Sequence, residues 1–373
     1  MLYVLIDANN FFIKNLFAYK SGMRKSEQLF EKEEQIIEYS HIISNSLFSL
    51  LEKFEGVVGF ILCFDNKTWR KGYYSEYKAH REYDDAVNWD AYFRFVEDYC
   101  EKIQTIHNVK VSRIEGSEAD DLLYLWSKKL NSSRYDCIVV SEDKDLLQLV
   151  NNTKSNNFTI VYNNNFKTPK IYKSPQTDLT ESGLNINVFN VSEAFINSRM
   201  MIKSILNEVS SIEDIDIEDF ILTKILIGDD GDNVPSVWSW NSSTNKKKRI
   251  TPSIAQKIVK NFKIINEKPI YYLLNDFEFF KKALYDSIKF VLSIPIDEEA
   301  LKENIERNCK LMCLHHKFFP SQLLKDFKDK YSLDSISKLD KEQFLKGTKY
   351  YQDPRMKVGK NDKLDSFFNA FGG

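Results

Sequence analysis

The sequence predicts an α/β fold with a central, mostly parallel sheet flanked by helices, and two observations predict it. Three near-continuous apolar runs, residues 3–6, 57–64 and 137–140, have the composition of strands buried on both faces of a parallel sheet. Between them the pattern switches to helical spacing, as in Leu47, Leu50, Leu51 and Phe54, or in the segment opening at Asp120-Asp121-Leu122-Leu123. Each run also stops on carboxylates: Asp7, Asp65, and Asp143 with Asp145. Ligands of open α/β sheets collect outside the carboxyl ends of the strands, so these aspartates point to one crevice.

The elements then follow in order. Residues 1–150 carry the alternating α/β layer. Within it, residues 69–99 interleave Arg70, Lys71, Lys78, Arg81 and Arg94 with Tyr73, Tyr74, Tyr77, Tyr83, Trp89, Tyr92 and Phe93. That is the composition of a surface where cations meet phosphates and rings stack on bases. Residues 151–190 are Asn-, Lys- and Thr-rich, with two short β-like pieces at 158–162 and near Ile171, and read as an excursion from the core in hairpin form. Helical patterns dominate after Ala194, broken by the Gly228–Asn233 acidic cluster and by a loop, 238–251, holding Lys246-Lys247-Lys248-Arg249. A helix is expected over about Ser253–Phe262. From Lys349 the chain is polar until it closes on Leu364-Asp365-Ser366-Phe367-Phe368.

Composition narrows the class. With 373 residues, 43% hydrophobic and 28% charged, the chain is long enough for one large core or for a domain plus a smaller one. The formal net charge of −2 allows an acidic pocket balanced by basic surfaces. No apolar run is long enough to cross a membrane, and the N-terminus enters a strand directly, so no secretory signal is expected. Five scattered cysteines read as reduced core residues, which suggests the cytoplasm. Cys309, Cys313, His315 and His316 have poor spacing for a closed zinc site and read as packing residues.

Any one aspartate at a strand-to-helix junction is as readily an N-cap as a ligand. Five clusters at equivalent positions argue for more: Asp7, Asp65, Glu118-Ala119-Asp120-Asp121, Asp143-Lys144-Asp145, and Gly228-Asp229-Asp230-Gly231-Asp232-Asn233. So many carboxylates cannot stay ionised in a poorly solvated pocket without cations. Hard oxygen donors suit Mg²⁺, and two ions about 3.5–4 Å apart can hold the attacking and leaving oxygens of a phosphoryl displacement. No Ser-His-Asp or Cys-His arrangement and no Walker-type loop stands out.

In order along the chain, these clusters, together with Phe64-Asp65, Tyr77-Lys78-Ala79-His80-Arg81 and Val234-Pro235, resemble the 5′-nuclease (flap endonuclease) superfamily over residues 1–265. The segments 88–93 and 249–253 look most like the ribonuclease H of T-even-type phages. The resemblance implies a PIN-like 5′-nuclease fold with a helical arch at about 69–99 and a helix–hairpin–helix-type DNA-binding element. It implies domains at 1–235 (nuclease), 236–348 (helical, DNA-binding) and 349–373 (tail). It assigns Asp7, Asp65, Glu118 and Asp120 mainly to one metal, Asp143, Asp145, Asp229 and Asp232 mainly to a second, and Asp121 to either shell. Two Mg²⁺ ions, replaceable by Mn²⁺, would serve the site, and Lys78 and Arg81 would contact the scissile phosphate. Arg70, Lys71, Tyr77, Lys246, Lys247, Lys248, Arg249 and Thr251 would bind DNA. The turn after Pro235 departs from the family's Gly-rich pattern, which puts a bound K⁺ there in doubt.

The implied activity is metal-dependent 5′-3′ exonuclease and flap endonuclease action on flaps, nicks, gaps and RNA–DNA hybrids, removing primers during replication. Leu364, Phe367 and Phe368 resemble a sliding-clamp-binding peptide. A single-strand DNA-binding protein is a further expected partner, and the protein is expected to act as a monomer in the cytoplasm, the host's if phage-encoded. Two other readings stand beside it: a PIN-type endoribonuclease, which would need neither arch nor DNA-gripping half, and a DNA-binding replication factor with a decayed site.

Overall fold

A computed structural model describes residues 2–22, 28–54, 57–104, 109–152, 157–165, 167–179, 193–241, 245–266 and 268–333. By contact the chain forms two compact units. The first holds residues up to Lys67, Glu82–Glu213 and the chain from Lys325; the second holds Thr68–Arg81 and Asp214–Leu324. Sequence alone suggested linear boundaries near 235 and 348.

The first unit is built on a sheet of order β3-β2-β1-β4-β6-β7-β8, with β5 paired to β6. The strands are β1 (Leu2–Asp7), β2 (Gly59–Cys63), β3 (Val109–Ser112), β4 (Asp136–Val140), β5 (Asn151–Asn152), β6 (Phe158–Asn163), β7 (Lys170–Lys173) and β8 (Ser211–Asp214). β1, β2, β3, β4 and β6 run parallel, and β7 returns antiparallel to β6. All six residues of β1 and all five of β2 and β4 are buried, which is why these strands read as unbroken apolar runs. Because β1 lies between β2 and β4, the chain leaves the centre in opposite directions, and the crevice at the carboxyl ends of β1 and β4 is the switch point of the sheet.

The predicted excursion is half correct and half a correction. Its two β pieces do form a hairpin, β6–β7. Yet β6 pairs in parallel with β4 and buries Phe158, Ile160, Val161 and Tyr162 in the core, so it is a full member of the central sheet. The Asn-rich flanks masked a strand whose own residues are apolar.

Helices α1 (Ala8–Ser21), α2 (Glu33–Glu52), α4 (Trp89–Ile103), α5 (Ala119–Ser132) and α6 (Glu193–Glu208) complete this unit. α5 is anchored at its middle: the indole of Trp126 meets Phe327 and Tyr331 at 5.2 and 5.4 Å, and the Tyr331 hydroxyl accepts from the Arg113 amide at 2.7 Å.

The second unit contains α3 (Trp69–Tyr73), α7 (Ile217–Ile227), α8 (Pro252–Ile265), α9 (Ile270–Asn275), α10 (Phe277–Leu292) and α11 (Glu298–Met312). α12 (Ser321–Lys330) begins in it. Between α7 and α8 a short hairpin, β9 (Ser239–Asn241) with β10 (Lys247–Arg249), carries the basic run. Ile221, Leu222, Ile225 and Leu226 of α7 share a core with Ala255, Ile258, Val259 and Phe262 of α8. All five cysteines are buried and unbridged, Cys309 and Cys313 within this second core, where packing explains them. No helix among the described residues is long and apolar enough to cross a membrane.

The segment expected to form the arch is not one helix. α3 and α4 are helical, but residues 75–80 are turns and 81–84 have no regular structure. Its composition misled about exposure as well. Arg70 is 2% exposed, with its Nε donating to the Leu311 carbonyl at 2.9 Å, and Tyr77 is 3% exposed in a cluster with Val234, Leu311 and Met312. Neither presents the nucleic-acid surface expected of it, because α11, more than 200 residues away in sequence, covers them. Lys310 and Arg307 of that helix also stand over the rings of Tyr73 and Tyr74.

Candidate active site

The acidic residues fall into two sets, one on each unit. On the first, Asp7 ends β1 and caps α1, accepting from the Asn10 amide at 3.1 Å and from the Ser141 hydroxyl at 2.8 Å. Asp65, two residues beyond β2, accepts from the Asn9 side-chain amide and from the Ala119 amide, both at 2.6 Å. Asp143 caps the 3₁₀ turn Lys144–Leu149 by accepting from the Asp145 amide at 2.8 Å. Parallel register explains the convergence: Ile6 lies beside both Leu62 and Val140, so the exits of three strands share one edge.

Asp7 and Asp143 thus act as caps, a natural outcome where strands feed helix N-termini. Asp121 is the exception. It is fully buried, and its carboxylate accepts from the Glu118 amide at 3.2 Å, closing the first turn of α5. In that position it holds the Glu118 backbone at the start of α5.

Electrostatics mark the site more sharply than distances do. The Asp7 carboxyl is pushed up to about 7, first by burial and then by the neighbouring charges of Asp65 and Asp143, against the opposing hydrogen bonds from Asn10 and Ser141. The Asp7 and Asp120 charges also help burial raise the Cys63 thiol. As the side chains stand, no three Asp, Glu, His or Cys residues among those described enclose a metal-sized volume. The donors nevertheless fit a hard divalent ion: every candidate is a carboxylate, and a nearby cation would reverse the forces that protonate Asp7.

The second set sits on the loop after α7. Asp229 caps the turn Asp230–Asp232, accepting from Gly231 at 2.8 Å and Asp232 at 3.3 Å. The loop closes on itself through two 2.8 Å bonds between the backbones of Asp229 and Val234. Gly228 at φ +78° permits this, since a Cβ there would lie 2.3 Å from the Val234 carbonyl oxygen.

Lys78 and Arg81 meet this loop within the same unit. Asp232 Oδ1 accepts from Arg81 at 2.6 Å; Oδ2 accepts from the Tyr77 hydroxyl at 3.1 Å and lies 3.8 Å from the Lys78 ammonium. Lys78, in the left-handed region at φ +53°, donates its amide to the Asp232 carbonyl at 2.9 Å. Asn233 donates to the Glu76 carbonyl at 2.8 Å. Lys224 approaches Asp229 at 3.4 Å. The Arg249 guanidinium forks onto Asp230 at 2.7 and 2.8 Å and holds that carboxyl below its usual range.

Residues 2–178 match the 5′-3′ exonuclease, N-terminal resolvase-like domain. Over that part, just under half of its length, the chain resembles 5′-3′ exonucleases. It is 26% identical over 258 residues to a 5′-3′ exonuclease of Buchnera aphidicola, covering 67% of this chain and 74% of the relative. It is 24% identical over 357 residues to DNA polymerase I of Borreliella burgdorferi, covering 94% of this chain and 33% of the polymerase. With DNA polymerase I of Chloroflexus aurantiacus the identity is 28% over 152 residues, or 40% of this chain and 15% of that one. The chain thus spans a third or less of these polymerases. The fold is similar to that of the T5 D15 protein co-crystallized with metal ions, with TM-score 0.51 and 17% identity over 88% of this chain and 98% of that one.

Sequence reasoning did not single out Asn9, Ser141 or Arg113. Asn9 brackets Asp65 from both sides, donating to its carboxylate and accepting from its amide at 3.3 Å. Ser141 links Asp7 to the Asp143 amide at 3.0 Å. Their positions, two residues after Asp7 and directly after β4, were the available signal. Arg113 pairs with Glu97 at 2.9 Å and left no local signature. Lys71, Lys246, Lys247, Lys248 and Thr251 are exposed; Thr251 is the N-cap residue of α8, with Pro252 at the first helical position. Leu364, Phe367 and Phe368 lie outside the described residues.

Proposed function

We propose that this protein is a divalent-metal-dependent 5′ nuclease that hydrolyses phosphodiester bonds in DNA and RNA–DNA hybrids near 5′ flaps, nicks and gaps. The observation that carries the reading is Asp7, raised toward neutrality by burial and then by the charges of Asp65 and Asp143, at the switch point of a sheet of 5′-nuclease type. The metal ions co-crystallized with the T5 D15 protein and the 5′-3′ exonuclease activity of the Buchnera relative support it.

Asp7, Asp65, Glu118 and Asp120 would hold one ion, and Asp143, Asp145, Asp229 and Asp232 a second, with Mg²⁺ the favoured species. When bound, the ions supply Lewis-acid activation of water and neutralise charge on the phosphate. The protein's part is to aim oxygens. Ser141 and Asn9 fix the rotamers of Asp7 and Asp65, and the capping bonds hold Asp143 and Asp229 at the mouths of their turns. Lys78 and Arg81 would offer cations to charge developing on the scissile phosphate. Lys71 and the exposed Lys246–Lys248 face of the hairpin would grip backbone phosphates of the duplex. The carboxyl-terminal Leu364, Phe367 and Phe368 would dock on a sliding clamp; removal of residues 361–373 is expected to abolish clamp binding while leaving cleavage of short substrates intact.

The test is substitution at the centre. Asp145→Asn or Asp232→Asn is expected to cut single-turnover cleavage of a 5′-flap duplex by at least about a hundredfold, with DNA affinity within about threefold of wild type. Equal loss of affinity and turnover would remove that residue from the metal set.

A further inference from the structure

We propose that Arg81 is a latch on Asp232 that a divalent cation displaces, so that metal binding and release of this arginine are one event. The inference deepens the function above and rests on Asp232 being a metal ligand.

The two oxygens of Asp232 are held differently. Oδ2 faces Tyr77, a buried hydroxyl donating at 3.1 Å, and Lys78, whose backbone is tied to the Asp232 carbonyl. Those contacts belong to the packed segment, since Tyr77 shares a cluster with Val234 and Met312, so they stay when the site changes. Oδ1 faces Arg81 at 2.6 Å. The Arg81 side chain is 58% exposed and its chain runs on without regular structure, so it can swing into solvent with little loss of packing.

An ion pair whose cation is this exposed is worth only a few-fold in an equilibrium constant, far less than a divalent ion gains from a carboxylate. A cation and the guanidinium cannot share Oδ1, because both carry positive charge and approach the same lone pairs. The ion therefore wins, and Tyr77 keeps the carboxylate aimed throughout. The consequence is order: a cation proposed to meet the substrate phosphate stays quenched until its own site is loaded with metal.

Mn²⁺ binding to the full chain, without DNA, tests this by electron paramagnetic resonance titration of free ion. Arg81→Gln should tighten the site lost in Asp232→Asn by about two- to tenfold, the reciprocal of the pair's own strength. Arg249→Gln removes an equal charge from Asp230, two residues away, and should leave Mn²⁺ affinity within about 1.5-fold of wild type, because its guanidinium competes for a different carboxylate. Unchanged affinity in Arg81→Gln, with the Asp232→Asn loss intact, overturns the latch and leaves the metal site standing. An equal rise in Arg81→Gln and Arg249→Gln makes the effect diffuse charge and also overturns it. No loss in Asp232→Asn removes Asp232 from the metal set and takes the latch with it.

Discussion

Asp7 shows how one side chain trades stability for function. Its carboxyl keeps a proton up to about pH 7 in the folded chain, whereas an unfolded aspartate releases it near 3.8. A raised acid of this kind favours folding less as pH climbs: the contribution is complete below about pH 4 and is lost progressively up to about 7. The loss amounts to roughly 4 kcal/mol. Asp7→Asn is therefore expected to stabilise the metal-free protein at pH 7.5 by about 2–4 kcal/mol in thermal unfolding with EDTA, while abolishing cleavage. Mg²⁺ should narrow the difference, because wild type gains from the ion and the variant gains less. Gly228 makes the opposite case. Gly228→Ala forces a Cβ to within 2.6 Å of the Pro235 carbonyl and should cost about 2–4 kcal/mol, with weaker Mn²⁺ binding because Asp229 and Asp232 ride on that turn.

At the scale of elements, legibility followed burial. β1, β2 and β4 were readable because both of their faces are covered, which leaves no polar alternation to confuse the pattern. Helix α8 was readable from Thr251-Pro252, a cap followed by a residue suited to the first turn. The acidic ends were readable because topology repeats them; whether each caps or ligates was not, since one carboxylate does the first and can do the second. Arg70 and Tyr77 were misread. Their basic and aromatic composition says what the side chains are, and the covering surface of α11 that buries Arg70 and Tyr77 is a tertiary fact. Arg70→Ala should accordingly cost about 2–4 kcal/mol of stability by denaturant unfolding, through lost packing and an unpaired Leu311 carbonyl, with little change in DNA affinity under native conditions. The β9–β10 hairpin should behave in reverse. Replacing Lys246, Lys247 and Lys248 by alanine leaves exposed positions and should hold stability within about 0.5 kcal/mol. Duplex affinity should fall, and the slope of log affinity against log salt should flatten by up to about 3.

For the whole molecule, the division of labour follows from the two units. The first unit carries Asp7, Asp65, Glu118, Asp120, Asp143 and Asp145, and the parallel register sets the exits that hold Asp7, Asp65 and Asp143 side by side. The other unit carries Asp229 and Asp232 together with Lys78, Arg81 and the basic hairpin. Neither unit holds every group that the proposed chemistry uses. The narrower likeness to T-even-type ribonuclease H still rests on residues 88–93 and 249–253 alone. A decayed binding factor would need none of the carboxylates to face a cation, and a minimal endoribonuclease would have no use for the hairpin. The most direct test is cleavage of an end-labelled 5′-flap duplex beside a matched blunt duplex, in Mg²⁺ and in EDTA. Cutting near the flap junction in Mg²⁺, suppressed by EDTA, is the expected result. Flap binding with no cutting in Mg²⁺ would contradict it.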